Sequence, residues 1–143
     1  ETLWDLGLLI DTMETATRWS ELGAMMGHIE GALKAAIEPF GDKIHVFTHL
    51  SHCYNDGATV YTSYIFRPGG SYPEALKRWQ ALKHAASNAI VENGGTISHQ
   101  HGVGKDHAPY LEREKGQLSI DVLKSGFETL DPEQLMSPGV ICD

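Results

Sequence analysis

Two runs rich in β-branched and aromatic residues, KIHVFTHLSHCY (43–54) and ATVYTSYIFR (58–67), flank the triplet Asn55-Asp56-Gly57. Asn and Asp ahead of Gly favour a tight turn, and strand-forming runs on both sides make this an antiparallel hairpin. A hairpin needs cover on one face, and the rest of the chain must supply it. On its first strand Ile44, Val46 and Thr48 share a side.

The cover is read from helical periodicity. Leu22, Met25, Met26, Ile29, Leu33 and Ile37 recur at helical spacing, with Ser20 as the expected N-cap and Pro39 to Asp42 as the stop. A second helix opens at Ser71 or Tyr72, carries Leu76, Trp79, Leu82, Ala86, Ala89 and Ile90 on one stripe, and ends at Asn93-Gly94-Gly95. Ahead of both, LWDLGLLIDTMET (3–15) reads as a strand and its flanks. Towards the end, APYLEREKG (108–116) is a short helix and QLSIDVLKSGFETLDP (117–132) a longer one, with Leu118, Val122 and Phe127 expected on its inner face. A tail with a Pro138-Gly139 turn follows. The order strand, helix, hairpin, helix, helix predicts an α+β fold: one domain over 1–143, with helices packed on one face of a small, mainly antiparallel sheet.

Charge narrows the partners. A net charge of −8, with 11 scattered Lys and Arg, is wrong for nucleic acid, where clustered cations must neutralise phosphates. No apolar run approaches the ~20 residues of a membrane span, and no signal-peptide pattern opens the chain. Cys53 and Cys142 are far apart and lack CxxC partners, which favours a reducing, cytoplasmic setting over a disulfide framework. The chain opens at Glu1 inside what reads as an ordered element, so a piece of a longer protein is expected.

Three groups of residues could carry chemistry: His45, His49 and His52 in the first hairpin strand, Tyr61 and Tyr64 in the second, and the loop GGTISHQHGVGK (94–105) after the second helix. A metal site is disfavoured. His45 and His49 lie ~13 Å apart along a strand, and His49 and His52 fall on opposite faces unless the strand bulges. For the loop, two readings stand. Gly94, Gly95, Gly102 and Gly104 serve either as a helix cap and surface turn, or as a backbone pressed against a flat or phosphorylated ligand while a histidine moves a proton.

The segment SHQHGVGK (98–105) resembles the SHHHGVGK loop of the alkyldihydroxyacetonephosphate synthases and, more distantly, the AEHGIG loop of D-lactate and glycolate oxidases. These are FAD-linked oxidases of the vanillyl-alcohol oxidase superfamily. DTMETATRW (11–19) is similar to the synthases' DTLETAxxW, THLSHCYNDGATVY (48–61) to their HxSHxYxDGAxLY, and DPEQLMSPG (131–139) to a DPxxxxNPG tail. The resemblance implies the C-terminal part of a cap, or substrate, domain. FAD would be held mainly by an N-terminal domain of the same protein, so this chain alone is expected not to retain it.

In the synthase branch the resemblance implies exchange of an acyl for an alkyl group, through an adduct at flavin N5 and without net redox change. It assigns Tyr61 as acid/base with His99 and His101. Gln100, His101 and Gly102 would face the flavin, and Thr12, Glu14, His52 and Lys105 a small-molecule or lipid-precursor substrate. A homodimeric full-length enzyme is expected, and no metal. In the hydroxy-acid branch the family's metal ligands would fall on Tyr61 and Gln100, neither of them suited to the task. The runner-up is an FAD-dependent oxidase or dehydrogenase of a 2-hydroxy acid or alcohol, and a third reading is a ligand- or metal-binding module without flavin.

Overall fold

The computed structural model describes residues 2–141. Glu1, Cys142 and Asp143, and with them the readings placed on Glu1 and Cys142, lie outside the described residues. The hairpin forms as its sequence demands, with β2 at His45–Cys53 and β3 at Gly57–Phe66 joined by the Asn55-Asp56 turn, where the Tyr54 N–H donates to the Gly57 carbonyl at 2.8 Å. An earlier strand, β1 (Leu9–Arg18), pairs antiparallel with the other side of β3, so the sheet order is β1-β3-β2. A one-turn helix, α1 (Thr2–Asp5), precedes β1 where the sequence suggested only a strand flank.

The two periodic segments become α2 (Leu22–Ile37) and α3 (Tyr72–Glu92), and both pack on the same face of the sheet. Met25, Ile29, Leu33 and Ile37 of α2 and Leu82, Ala86 and Ile90 of α3 interlock with Met13, Val60, Tyr64 and Phe66 of the sheet. Burying each such large apolar side chain contributes about 1.5–3 kcal/mol, which makes this layer the main source of stability. Ser71 caps α3 by accepting the Glu74 N–H at 3.4 Å. The expected cap of α2 is not Ser20: Glu21 occupies that position without a side-chain bond, and the Ser20 hydroxyl donates to the Glu21 carboxylate instead.

The last two helices, α4 (Gly104–Lys115) and α5 (Gln117–Leu130), form a smaller cluster in which Tyr110, Leu111 and Ile120 surround Ile97. Here the expected inner face of α5 is corrected. Leu118 is 77% exposed, and Val122 and Phe127 are exposed too: Leu118 and Val122 lie on the side of the helix opposite Ile120, the residue that packs in this cluster, while Phe127, seven residues on, shares the side of Ile120 but lies beyond the cluster.

Candidate active site

With α2 and α3 covering one side of the sheet, the alternation of strand residues assigns the other side. On that open face Glu14 of β1, Tyr61 of β3 and His49 of β2 stand directly opposite one another across three strands. The next rows are Thr12–Ser63–Phe47 and Ile10–Ile65–His45. Tyr64 points to the helix side and is sealed, donating to Asp11 Oδ2 at 2.9 Å. Burial first and the Asp11 charge second push its phenol well above the usual range, so it stays protonated and serves as a donor. Of the two tyrosines, only Tyr61 faces the open side.

The glycine loop folds over the end of this face. Gly94 has φ 72, which lets α3 end in a left-handed turn, and Gly95 lies so close to the core that an added Cβ would sit 2.6 Å from Thr15 Oγ1 and 2.9 Å from Met25 Cε. The role of Gly95 is therefore packing rather than ligand approach. Thr15 Oγ1 donates to the Thr96 carbonyl at 2.7 Å, and Glu114 accepts the Ile97 N–H at 2.7 Å and the Thr96 hydroxyl at 3.0 Å. Burial opposes the Glu114 charge, but these donors and Lys115 hold its carboxyl below the usual range. Tied at both sides, the loop delivers its histidines to the sheet.

His101 arrives edge-on to Tyr61, with ring centroids 6.0 Å apart at 82°, and its Nε2 lies 3.3 Å from Glu14 Oε2. His49 stacks on the Tyr61 ring at 5.1 Å, and the Tyr61 hydroxyl donates to Thr12 Oγ1 at 3.3 Å. Thr12, Glu14, Tyr61 and His101 are thus brought together, and His49, weighed from its spacing only as a metal ligand, joins them. His99 and His52 belong to a neighbouring group built on Tyr54. The Tyr54 hydroxyl and His99 Nε2 are 3.0 Å apart, and His52 stacks on the Tyr54 ring at 6.4 Å. Tyr54 was legible only as part of a motif. The strand bulges between Leu50 and Cys53, where Thr59 Oγ1 takes up the His52 N–H at 2.7 Å, and His52 there meets Tyr54 rather than Tyr61. Lys105 is exposed at the start of α4, and among the described residues no bond joins it to the Tyr61 group.

No three His, Cys, Asp or Glu side chains among the described residues gather closely enough to hold a metal ion. For a flavin, the stretch from Gln100 to Gly102 leaves room beside His101, whereas the glycine turn ahead of α3 leaves none for a diphosphate. Gln100 sits at φ 60 and a Cβ on Gly102 would meet nothing within 4 Å, which leaves an open backbone ledge beside His101. The Gly69-Gly70 turn ahead of α3 is already filled by the Glu74 carboxylate, which accepts the Gly70 N–H at 2.9 Å. No helix among the described residues is long and apolar enough to cross a membrane.

Known proteins fit this picture. An alkyldihydroxyacetonephosphate synthase from Dictyostelium discoideum is 26% identical over 136 residues, covering 95% of this chain and 22% of that protein. A mitochondrial D-lactate dehydrogenase (cytochrome) from Arabidopsis thaliana is 33% identical over 92 residues, 64% of this chain and 16% of that protein. A solved alkyldihydroxyacetonephosphate synthase structure superposes with a TM-score of 0.63 at 19% identity, over 96% of this chain and 21% of its own, and so shares the fold. The chain spans about a fifth of the length of these relatives. The family model for FAD linked oxidases, C-terminal domain, matches residues 1–141, and the chain belongs to that family.

Proposed function

We propose that the open sheet face is the substrate side of a flavoenzyme that exchanges an acyl for an alkyl group on a dihydroxyacetone phosphate ester, as the synthases it resembles do. The observation that carries this reading is the convergence of Tyr61 and His101, from a strand and a loop forty residues apart in sequence, to a ring separation of 6.0 Å. A flavin held along Gln100, His101 and Gly102 would supply the ring chemistry, with its diphosphate bound by an N-terminal domain of the same protein. The Tyr61 phenol, once its own proton has passed to His101, would take a proton from the carbon at which exchange occurs. Its hydrogen bond to Thr12 orients it, and the imidazoles on two sides of the ring provide polar stabilisation as charge moves. A homodimeric, cytoplasmic full-length protein belongs to the same reading.

The local likeness to D-lactate dehydrogenase favours one other reading, oxidation of a 2-hydroxy acid. The two are separated by supplying the full-length protein with a 1-acyl dihydroxyacetone phosphate and radiolabelled hexadecanol. Exchange releases one fatty acid per ether formed and reduces no dye. Dye reduction driven by D-lactate, with no ether formed, would favour the second reading and refute the first.

A further inference from the structure

Glu14 is the buried carboxylate of the open face, and its surroundings give it a task other than contact with substrate. Its side chain is only 3% exposed. One oxygen, Oε1, accepts the Ser51 hydroxyl at 2.5 Å, and the other, Oε2, lies 3.3 Å from His101 Nε2. Ser51 is itself fixed against the hydroxyl of Thr59, a fully buried residue that also takes the His52 N–H at the bulge. A line of polar groups therefore runs from the bulge of β2 through Thr59 and Ser51 to Glu14, and ends on the imidazole that packs against Tyr61.

A carboxylate buried to this degree is costly unless it is paired or hydrogen-bonded. Ser51 supplies a neutral donor, and His101 is the cationic partner when its ring is protonated. We infer that Glu14 is a positioning residue: it holds His101 by Nε2, leaves Nδ1 free to exchange protons, and stabilises the imidazolium formed when His101 takes a proton. A buried carboxylate behind an imidazole does this wherever the ring must be oriented and its charge compensated. Ser51, two residues after His49, shares the open face by strand alternation, and at the bulge beside it Thr59 takes up the His52 N–H. The inference rests on the proposed role of His101 and assigns Glu14 to act through it rather than on the substrate.

The test is a double-mutant cycle in the full-length flavoprotein, with acyl-to-alkyl exchange as one readout and carbethoxylation of His101 by diethyl pyrocarbonate, followed by mass spectrometry, as another. Glu14→Gln keeps the volume and can still accept from Ser51, so flavin content and melting temperature should match the parent. It should lower kcat by about 10–100-fold, as losing a partner that orients a reactive imidazole does, with KM nearly unchanged. In a His101→Ala background it should cost nothing further. His101 should label faster in Glu14→Gln than in the parent, because the anion no longer occupies Nε2. Ser51→Ala, which loosens the carboxylate without removing it, should give a smaller loss that also vanishes with His101→Ala. Equal losses from Glu14→Gln in both backgrounds, or no loss while His101→Ala is slow, would overturn the inference and leave the role of His101 intact. If His101→Ala turns over normally, the proposed function fails instead, and the labelling rate alone decides whether Glu14 holds the ring: an unchanged rate rejects it.

Discussion

Replacing Asp11 with Ala should destabilise the chain although the residue is charged and partly exposed, and the structure sets the size. Three donors converge on Asp11 Oδ2: the Tyr64 hydroxyl at 2.9 Å, Trp79 Nε1 at 2.8 Å and Lys83 Nζ at 3.0 Å. Hydrogen bonds to a charged acceptor contribute about 1.5–3 kcal/mol each. Their sum is an overestimate, because Asp11 is 26% exposed and water can reach Lys83 once the carboxylate is gone. The fully buried Tyr64 hydroxyl has no such relief and is left unsatisfied. The net cost is about 2–4 kcal/mol, a fall in melting temperature on the order of 10 °C for a chain of this length. The effect also carries a pH signature. Burial works against the Asp11 charge, but Lys83, the Thr12 N–H and Trp79 outweigh it and hold the carboxyl below its ordinary 3.8. A carboxyl depressed by folding stabilises above its unfolded value and loses that contribution as pH falls through the folded one. Denaturant unfolding of parent and variant, followed by circular dichroism from pH 7 to pH 2, should therefore show a gap that is full above pH ~4 and narrows below it. A gap under 0.5 kcal/mol at pH 7, or one that stays constant to pH 2, would refute this reasoning.

Two further outcomes follow from the packing and donor chemistry. Gly95→Ala forces a methyl group to within 3 Å of Thr15 and Met25, so it should cost about 1–3 kcal/mol of stability in denaturant unfolding and, by lifting the loop from Tyr61, slow turnover as well. Because no trio of ligating side chains forms among the described residues and Gln100 is a neutral amide, the full-length protein should keep its activity after exhaustive chelation, and elemental analysis should find no stoichiometric zinc, manganese or iron.

Much of the fold was legible because its signals are local. The Asn55-Asp56-Gly57 turn between strand-forming runs, the stripes of α2 and α3, and the Asn93-Gly94-Gly95 stop each depend on a few adjacent residues. What sequence reasoning missed depends on distance in the chain. Leu118, Val122 and Phe127 do not share one face of α5, and apolar residues alone do not say which side meets another body; here Ile120 makes the contact. Gly95 was open to two readings, a helix cap or a ligand-facing backbone, whereas Thr15, eighty residues earlier, is what demands its missing side chain. Glu14 reads as an exposed strand residue by alternation, and Ser51 and His101, which cover it, reach it from another strand of the sheet and from a distant loop. The pairing of Tyr54 with His99, and the stacking of His49 on Tyr61, are likewise cross-element contacts with no local pattern.

The most direct measurement is the turnover of full-length Tyr61→Phe in acyl-to-alkyl exchange, read alongside its flavin content and melting temperature. The hydroxyl makes one 3.3 Å bond to Thr12 on a partly solvated face, so removing it should cost under about 1 kcal/mol of stability, while the ring keeps its packing against His49 and His101. Losing a proton-transfer group costs ~10²–10⁴-fold in rate, equivalent to about 2.7–5.4 kcal/mol of transition-state stabilisation. A stable, flavin-loaded variant slowed by at least ~10²-fold is the predicted result, and a Tyr61→Phe enzyme that exchanges within a few fold of the parent rate would contradict it.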